Sequence, residues 1–589
     1  MRRLCLLAWL AWCCAAGGAW AADANKVLRV AFPIAETGFD PQAVSDLYSA
    51  TLARNIFDTL YVVDYLARPY KVVPGVAEAM PEITENGTVF TIRVRKGILY
   101  TPDPAFKGKP RELTAQDFVY SLKRILDPKV RSPYLWMLDG RILGAEPLVK
   151  AAGQSGGRLD YDAPMEGLQA LDRYTLRIKL KEPYYNLLNY LTHSAMSAVA
   201  REVVEAYGDE IQAHPVGTGP YRLEQWRRAS KVVLTANPGF RREVFPQSAD
   251  PKDARLVEAM KGKNLPVIGR IEVNIIEEAQ SRLLAFNNKE LDYVQVPYEL
   301  AANVLTGDQL KPEYQKRGVA WARTPEPALA YTYFSMEDSA VGGYSKEKIA
   351  LRRAIVMGYN LEEQIRVLYH GQAIPATQPI PVGLPGHDPR YLGGPKYDPA
   401  AARALLDRVG YRDRDGDGFR EQPDGSPLSI EKFSTPSTTD RQLDELWKKS
   451  MDAIGIRMTF SHQKWPDLLK MGRAGKLQMW NVGWIVTVPD GDSFYQLLYS
   501  KTIGQSNYGR FSLPEFDRIY EQTKPMPDSP QRTALYRKLA ELVDVYAPWH
   551  LGVVRIDNVL AQPWLQGYKK HDFMRHPWMF LDIDSKVAR

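Results

Sequence analysis

Leu113-Thr114-Ala115-Gln116-Asp117-Phe118-Val119-Tyr120-Ser121-Leu122-Lys123-Arg124 contains a helix start and the beginning of its apolar face. Thr114 and Asp117 stand at capping-box spacing, where each side chain takes a backbone N–H that the first helical turn leaves without a partner. Phe118, Leu122, Ile125 and Leu126 follow at helical spacing, and Asp127-Pro128 stops the run. Upstream, Asn86-Gly87 is a turn signal. It precedes an alternating strand over 88–95, with Phe90, Ile92 and Val94 on one face. Downstream, Tyr174, Leu176, Ile178 and Leu180 alternate again.

The same mixture of periods extends along the chain. Leu28, Val30 and Phe32 alternate in a first strand, and 47–60 reads as a helix. Ile271, Val273 and Ile275 alternate, 279–286 is helical, and 292–296 is extended. Asn360 and Glu363 cap a helix that stops at Gly371, and the Pro-rich stretch 375–389 is an ordered loop or an interlobe strap. Strands and helices interleave throughout, so the fold class is α/β with several sheets. No internal repeat and no low-complexity tract is present.

The N-terminus reads as an export signal over residues 1–21. Arg2 and Arg3 are followed by an apolar run over 4–16, and Ala19-Trp20-Ala21 places small residues where a signal peptidase cuts. All three cysteines, Cys5, Cys13 and Cys14, lie in that segment. The mature chain then has no thiolate or disulfide chemistry, and Trp12 disfavours lipidation at Cys13. Losing Arg2 and Arg3 lowers the formal charge from +7 to +5, which does not suggest nucleic acid as a partner. The remaining length exceeds one core and predicts two or three domains. The 32 Tyr and 13 Trp suit either large cores or a cleft lined with flat amphipathic rings.

Several segments together resemble the peptide- and nickel-type class of bacterial extracytoplasmic solute-binding proteins, components of ABC transporters. They are Pro74-Gly75-Val76-Ala77-Glu78 leading to Arg95-Lys96-Gly97, the stretch 113–124, and Pro215-Val216-Gly217-Thr218-Gly219-Pro220-Tyr221 with Asn237-Pro238. Leu351-Arg352-Arg353-Ala354-Ile355, Ser506-Asn507-Tyr508 and Pro514-Glu515-Phe516-Asp517 complete the set. The resemblance implies an α/β periplasmic-binding-protein fold of two lobes joined by a hinge, with an additional domain on the first lobe. It divides the chain after the signal into 22–65 (lobe I), 66–214 (additional domain), 215–318 (lobe I), 319–548 (lobe II) and 549–589 (lobe I). It also implies a periplasmic location, a peptide or small-molecule solute, an inner-membrane ABC permease as partner, a monomer, and no catalysis or cofactor.

In the oligopeptide binders of this family, a Trp nineteen residues before a Gly-Trp pair helps wall the ligand cleft. Trp465, Gly483 and Trp484 have that spacing. The family places an Asp three residues after the second Trp, where it meets the free amine of a bound peptide. Here the position is Thr487, which supplies no charge. A charge-assisted hydrogen bond is worth about 1.5–3 kcal/mol, so its loss puts ordinary peptide specificity in question. Asp490, Asp492 and Glu36 are the candidate substitutes, each also readable as a loop or turn former. Tyr134 and Trp136 fall in the family's cleft-facing segment of the additional domain.

Other chemistry has weaker support. Gly217-Thr218-Gly219-Pro220 lacks the Gly-Lys-Ser/Thr end of a phosphate loop and suits a tight crossing near the hinge. Asp413, Asp415 and Asp417 with Gly418 resemble the start of a calcium loop, but Asp424 replaces the Glu such a loop ends on, and an acidic turn explains them as well. His571 and His576 are five apart, not the four of a helical zinc pair; no metal site is assigned. No Gly-x-Ser-x-Gly elbow or His-Glu-x-x-His supports a secreted hydrolase, and a periplasmic chaperone with a loose aromatic cleft is the third reading. A binder of a non-peptide solute lacking a free amine is the alternative within the family.

Overall fold

The structure is a computed structural model that describes residues 22–154, 157–394, 396–574 and 576–587. The expected signal segment lies outside them. Among the described residues no helix is long and apolar enough to cross a membrane.

The quoted stretch forms the helix Ala115–Leu126 with its capping box in place. Thr114 N–H donates to Asp117 Oδ2 at 2.8 Å, and Arg111 grips the same carboxylate with both terminal nitrogens, at 2.6 and 3.0 Å. The helix packs on a four-stranded antiparallel sheet, Glu82–Thr84, Val89–Arg93, Thr175–Lys179 and Leu168–Ala170. Phe90, Ile92, Phe118, Leu122, Leu176 and Ile178 close one core between them.

A second four-stranded sheet starts with Asp23–Phe32. This strand runs parallel to Ile268–Ile275, which continues antiparallel into Lys231–Ala236 and Tyr221–Arg227. Leu28, Val30, Phe32, Leu234 and Ile271 are buried there with Trp564 and Trp578 from the C-terminal segment. The helix expected over 47–60 ends at Ile56. The Ile56 carbonyl accepts Gly219 N–H at 2.9 Å, and a Cβ on Gly217 would lie 2.1 Å from that oxygen. The chain at 217–219 thus crosses directly over the helix end, and the residues after it must be extended.

The third and largest sheet centres on Trp549–Ala561. Residues 549–553 pair with Ala328–Phe334, and residues 556–561 pair with Ala320–Pro325 and Tyr293–Val296. Ala328–Phe334 continues into Met479–Ile485, Ser429–Ser434 and Arg457–His462. Two neighbouring antiparallel segments therefore run from one half of the molecule into the other. At the crossing Arg555 donates to Glu326 at 2.9–3.0 Å, and its carbonyl accepts Glu326 N–H at 2.8 Å. The Pro-rich segment 375–389 is irregular but ordered: Gln378 Nε2 donates to Asp388 O at 2.8 Å, and Ile380 and Leu384 are buried in the core with Phe494 and Tyr536.

Candidate functional site

Met479–Ile485 is an inner strand of the large sheet, with Gly483 opposite Ala330 and Trp484 opposite Leu329. Alternation puts Trp480, Val482 and Trp484 on one face. Trp480 and Val482 are buried and Trp484 packs half-buried against the same core. Gly483 faces the other way and is exposed. A Cβ there would meet only Leu329 O, at 3.8 Å, so packing does not require a glycine at this place. Trp465 opens the helix Trp465–Arg473; it is 47% exposed and its ring lies 5.3 Å from that of Trp480. The structure thus sets Trp465 against Trp480 and packs Trp484 on the core that contains Trp480.

After Val486 N–H donates to Pro327 O at 3.1 Å, the chain leaves the sheet and Thr487 is exposed. Thr487 stands on the wall of a cavity of ≈ 220 Å³ whose other walls come from distant segments. Arg54, Phe57 and Asp58 come from the end of the first helix, and Thr192, Ser194 and Ser197 from the segment after the antiparallel sheet. Phe573, Trp578 and Phe580 come from the C-terminal segment. His193 Nδ1 accepts Ala195 N–H at 3.2 Å and holds the tight turn that carries Ser194. Ser197 Oγ is buried with no hydrogen-bond partner among the described residues.

Three carboxylates line this cavity, and each is engaged. Arg241 grips Asp58 at 2.7 and 3.1 Å and reaches Glu243 at 2.7 Å. Asp64 Oδ1 accepts two backbone N–H groups at 2.8 Å.

The remaining candidates are distributed differently. Tyr134 stacks at a tilt on His193, 4.5 Å between centroids, and Trp136 meets Tyr190 edge-on at 5.6 Å while staying 44% exposed. Asp490 is buried and held by Arg532 at 2.6 and 3.1 Å, with Asn189 Nδ2 at 3.3 Å; it does not line the cavity. Glu36 is also off this wall. Its Oε1 accepts Trp226 Nε1–H, and its Oε2 is buried without a partner among the described residues. Asp413, Asp415 and Asp417 converge within 4.8 Å in an exposed turn, while Asp424 is turned onto Ser426 at 2.7 and 2.9 Å.

Sequence reading missed Arg54, Ser194, Ser197 and the C-terminal wall. Only the aromatic and sulfur-rich run Phe573-Met574 and Pro577-Trp578-Met579-Phe580 carried a signal for the last of these.

Comparison with known proteins places this geometry in context. The model of the family described as bacterial extracellular solute-binding proteins, family 5 Middle, matches residues 71–506. The di/tripeptide-binding protein 2 of Pseudomonas aeruginosa (strain UCBPP-PA14) is 26% identical over 534 residues, covering 89% of this chain and 88% of the relative. The periplasmic oligopeptide-binding protein OppA of Escherichia coli (strain K12) is 24% identical, covering 90% and 88%. Among solved structures, HbpA2 from Haemophilus parasuis superposes with a TM-score of 0.73 at 20% identity, over 95% of this chain and 99% of that one.

Proposed function

Because the chain belongs to the bacterial extracellular solute-binding proteins of family 5, we propose that it is the periplasmic solute-binding component of an ABC importer. It captures a peptide or peptide-like solute by lobe closure and delivers it to an inner-membrane permease. It acts as a monomer, by binding and not by turnover. The names of its two relatives support peptide-like cargo. Paired crossing strands support the hinge, and we set its two crossings at the Glu326–Arg555 pair. That moves the lobe borders a few residues beyond 318/319 and 548/549, because the strands Ala320–Pro325 and Trp549–Ala561 only begin just after those positions.

We place the solute along the end of the strand at Gly483 and Trp484, whose positions face opposite ways, and at Trp465 on the helix Trp465–Arg473, with Thr487 and the cavity of Arg54, Ser194 and Ser197 receiving one end. The observation that carries this is Gly483. The fold leaves room for a side chain there, and omitting it lets a ligand backbone approach the strand. Asp490 and Arg532 serve the fold, and Asp490 is withdrawn as a ligand for an amine. A specific observation also favours solutes that lack a free amine. Thr487 is neutral, and Asp58 and Glu243 on the cavity wall are already paired with Arg241, so an ammonium group meets only Asp64, whose Oδ1 is held by two backbone N–H groups.

Mass spectrometry of solute released from gently purified protein tests the assignment. It should return a peptide or amide-bearing molecule, and the same molecule should reduce the radius of gyration on rebinding. A released solute with no peptide or amide group, or an unchanged radius at saturation, would count against it.

A further inference from the structure

A separate cavity of about 580 Å³ opens between the segment carrying Arg141 and Tyr184 and the segment 496–525. Two of its cations form no direct ion pair among the described residues. Arg141 forms no ion pair among the described residues, its Nε is buried without a hydrogen-bond partner, and its guanidinium lies 4.0 Å from the centre of the Tyr184 ring. Lys524 forms neither an ion pair nor a side-chain hydrogen bond there. Its ammonium lies 4.4 Å from the Tyr499 ring centre and 5.4 Å from that of Tyr520. Burial pushes the Lys524 pKa down.

No acid nearby makes a direct ion pair with either cation among the described residues, although the buried Asp492 carboxylate acts on both through its charge. Glu521 is taken by Lys501 at 2.8 Å and by the Tyr499 hydroxyl. Glu182 is exposed at the rim. Asp492 is buried, with Oδ2 accepting the Tyr184 hydroxyl at 3.2 Å. A half-buried guanidinium with unused N–H groups is costly until an acceptor reaches it. An arginine fork beside a lysine point charge is the arrangement that binds carboxylate and phosphate oxygens. Each cation lies over an aromatic ring on the wall of this one cavity.

We propose that this cavity is a binding site for a small oxyanion, a phosphate or a carboxylate, bridged by Arg141 and Lys524. It is distinct from the cavity at Thr487 and does not depend on the identity of the transported solute. An ion held there joins the segment carrying Arg141 to the helix Pro514–Thr523, which ends beside Lys524.

Calorimetry of the full mature chain with potassium phosphate and with potassium succinate, at ionic strength fixed by potassium chloride, tests the site. At least one of the two should give saturable binding. Affinity should fall about tenfold or more in Arg141→Gln and in Lys524→Gln, the scale of one charge-assisted bond. It should not change in Lys448→Gln, which removes an exposed lysine paired with Asp452. Preference for phosphate or for succinate identifies the oxyanion. Lys524→Gln breaks no hydrogen bond and keeps the test decisive if Arg141→Gln fails to fold. Absence of saturable binding with both anions, or equal binding in wild type and Lys524→Gln, would overturn the proposal.

Discussion

Three histidines are buried in neutral form, and their protonation should set the acid stability of the fold. His193, His550 and His571 are 3%, 4% and 0% exposed. His571 Nδ1 accepts the N–H groups of Phe573 and Met574 at 3.2 and 2.9 Å, so the proton is on Nε2, which faces Asp64 O at 3.2 Å. A second proton would break the Nδ1 contacts. Burial, aided by Arg54, lowers the His193 pKa to about 3, and burial alone lowers that of His550 to about 3. Burial, with Arg68 assisting, holds His571 well below 6.5.

Each folded-state pKa lies below the unfolded value. The stabilisation is therefore fully present above about pH 6.5 and is lost as pH falls toward the folded pKa. Between about pH 5.5 and 4.5 the unfolded chain binds about one more proton at each site. Each contributes about 1.4 kcal/mol per pH unit, so the three together give about 4 kcal/mol. That is a large part of the ~5–15 kcal/mol stability of a typical protein. Urea unfolding followed by tryptophan fluorescence over this range measures the slope. The variants His193→Gln, His550→Gln and His571→Gln should each reduce it by about a third. A slope unchanged in all three would refute the reasoning.

Two glycines should behave oppositely. Gly217→Ala places a Cβ 2.1 Å from Ile56 O, backbone against backbone, and should cost about 1–3 kcal/mol or more in denaturant unfolding. Gly483→Ala meets only Leu329 O at 3.8 Å and should leave the melting temperature unchanged while weakening solute binding measured by calorimetry. Arg532→Ala strands the buried Asp490 carboxylate and should destabilise by about 3–5 kcal/mol, with part recovered in the Asp490→Asn/Arg532→Met double variant.

What the sequence disclosed was local. The helix Ala115–Leu126 was legible because its cap, its apolar spacing and its stop all lie within a few residues of it. The helix over 47–60 was read too long because its end depends on Gly219, whose N–H reaches Ile56 O from far along the chain. The central strand Trp549–Ala561 is buried almost throughout, so no alternation marks it. Trp465, Gly483, Trp484 and Thr487 were singled out through family spacing; Gly483 and Trp484 lie on the strand Met479–Ile485, Thr487 just after it, and Trp465 on the preceding helix. Arg54, Ser194, Ser197 and Phe573 were not found, because only tertiary packing brings them to Thr487. The Asp490–Arg532 pair was invisible for the same reason, its partners being 42 residues apart.

The most direct test of the account compares one tripeptide with its N-acetylated form by calorimetry, against wild type and Thr487→Asp. Thr487 supplies no charge, and Asp58 and Glu243 on the cavity wall are already paired with Arg241, so wild type should bind the acetylated form at least as well. Thr487→Asp should shift the preference toward the free amine by about 1.5–3 kcal/mol, one to two decades in affinity. A wild-type preference for the free amine of about tenfold, 1.4 kcal/mol, or a Thr487→Asp protein with unchanged preference, would contradict the placement of the solute at this wall.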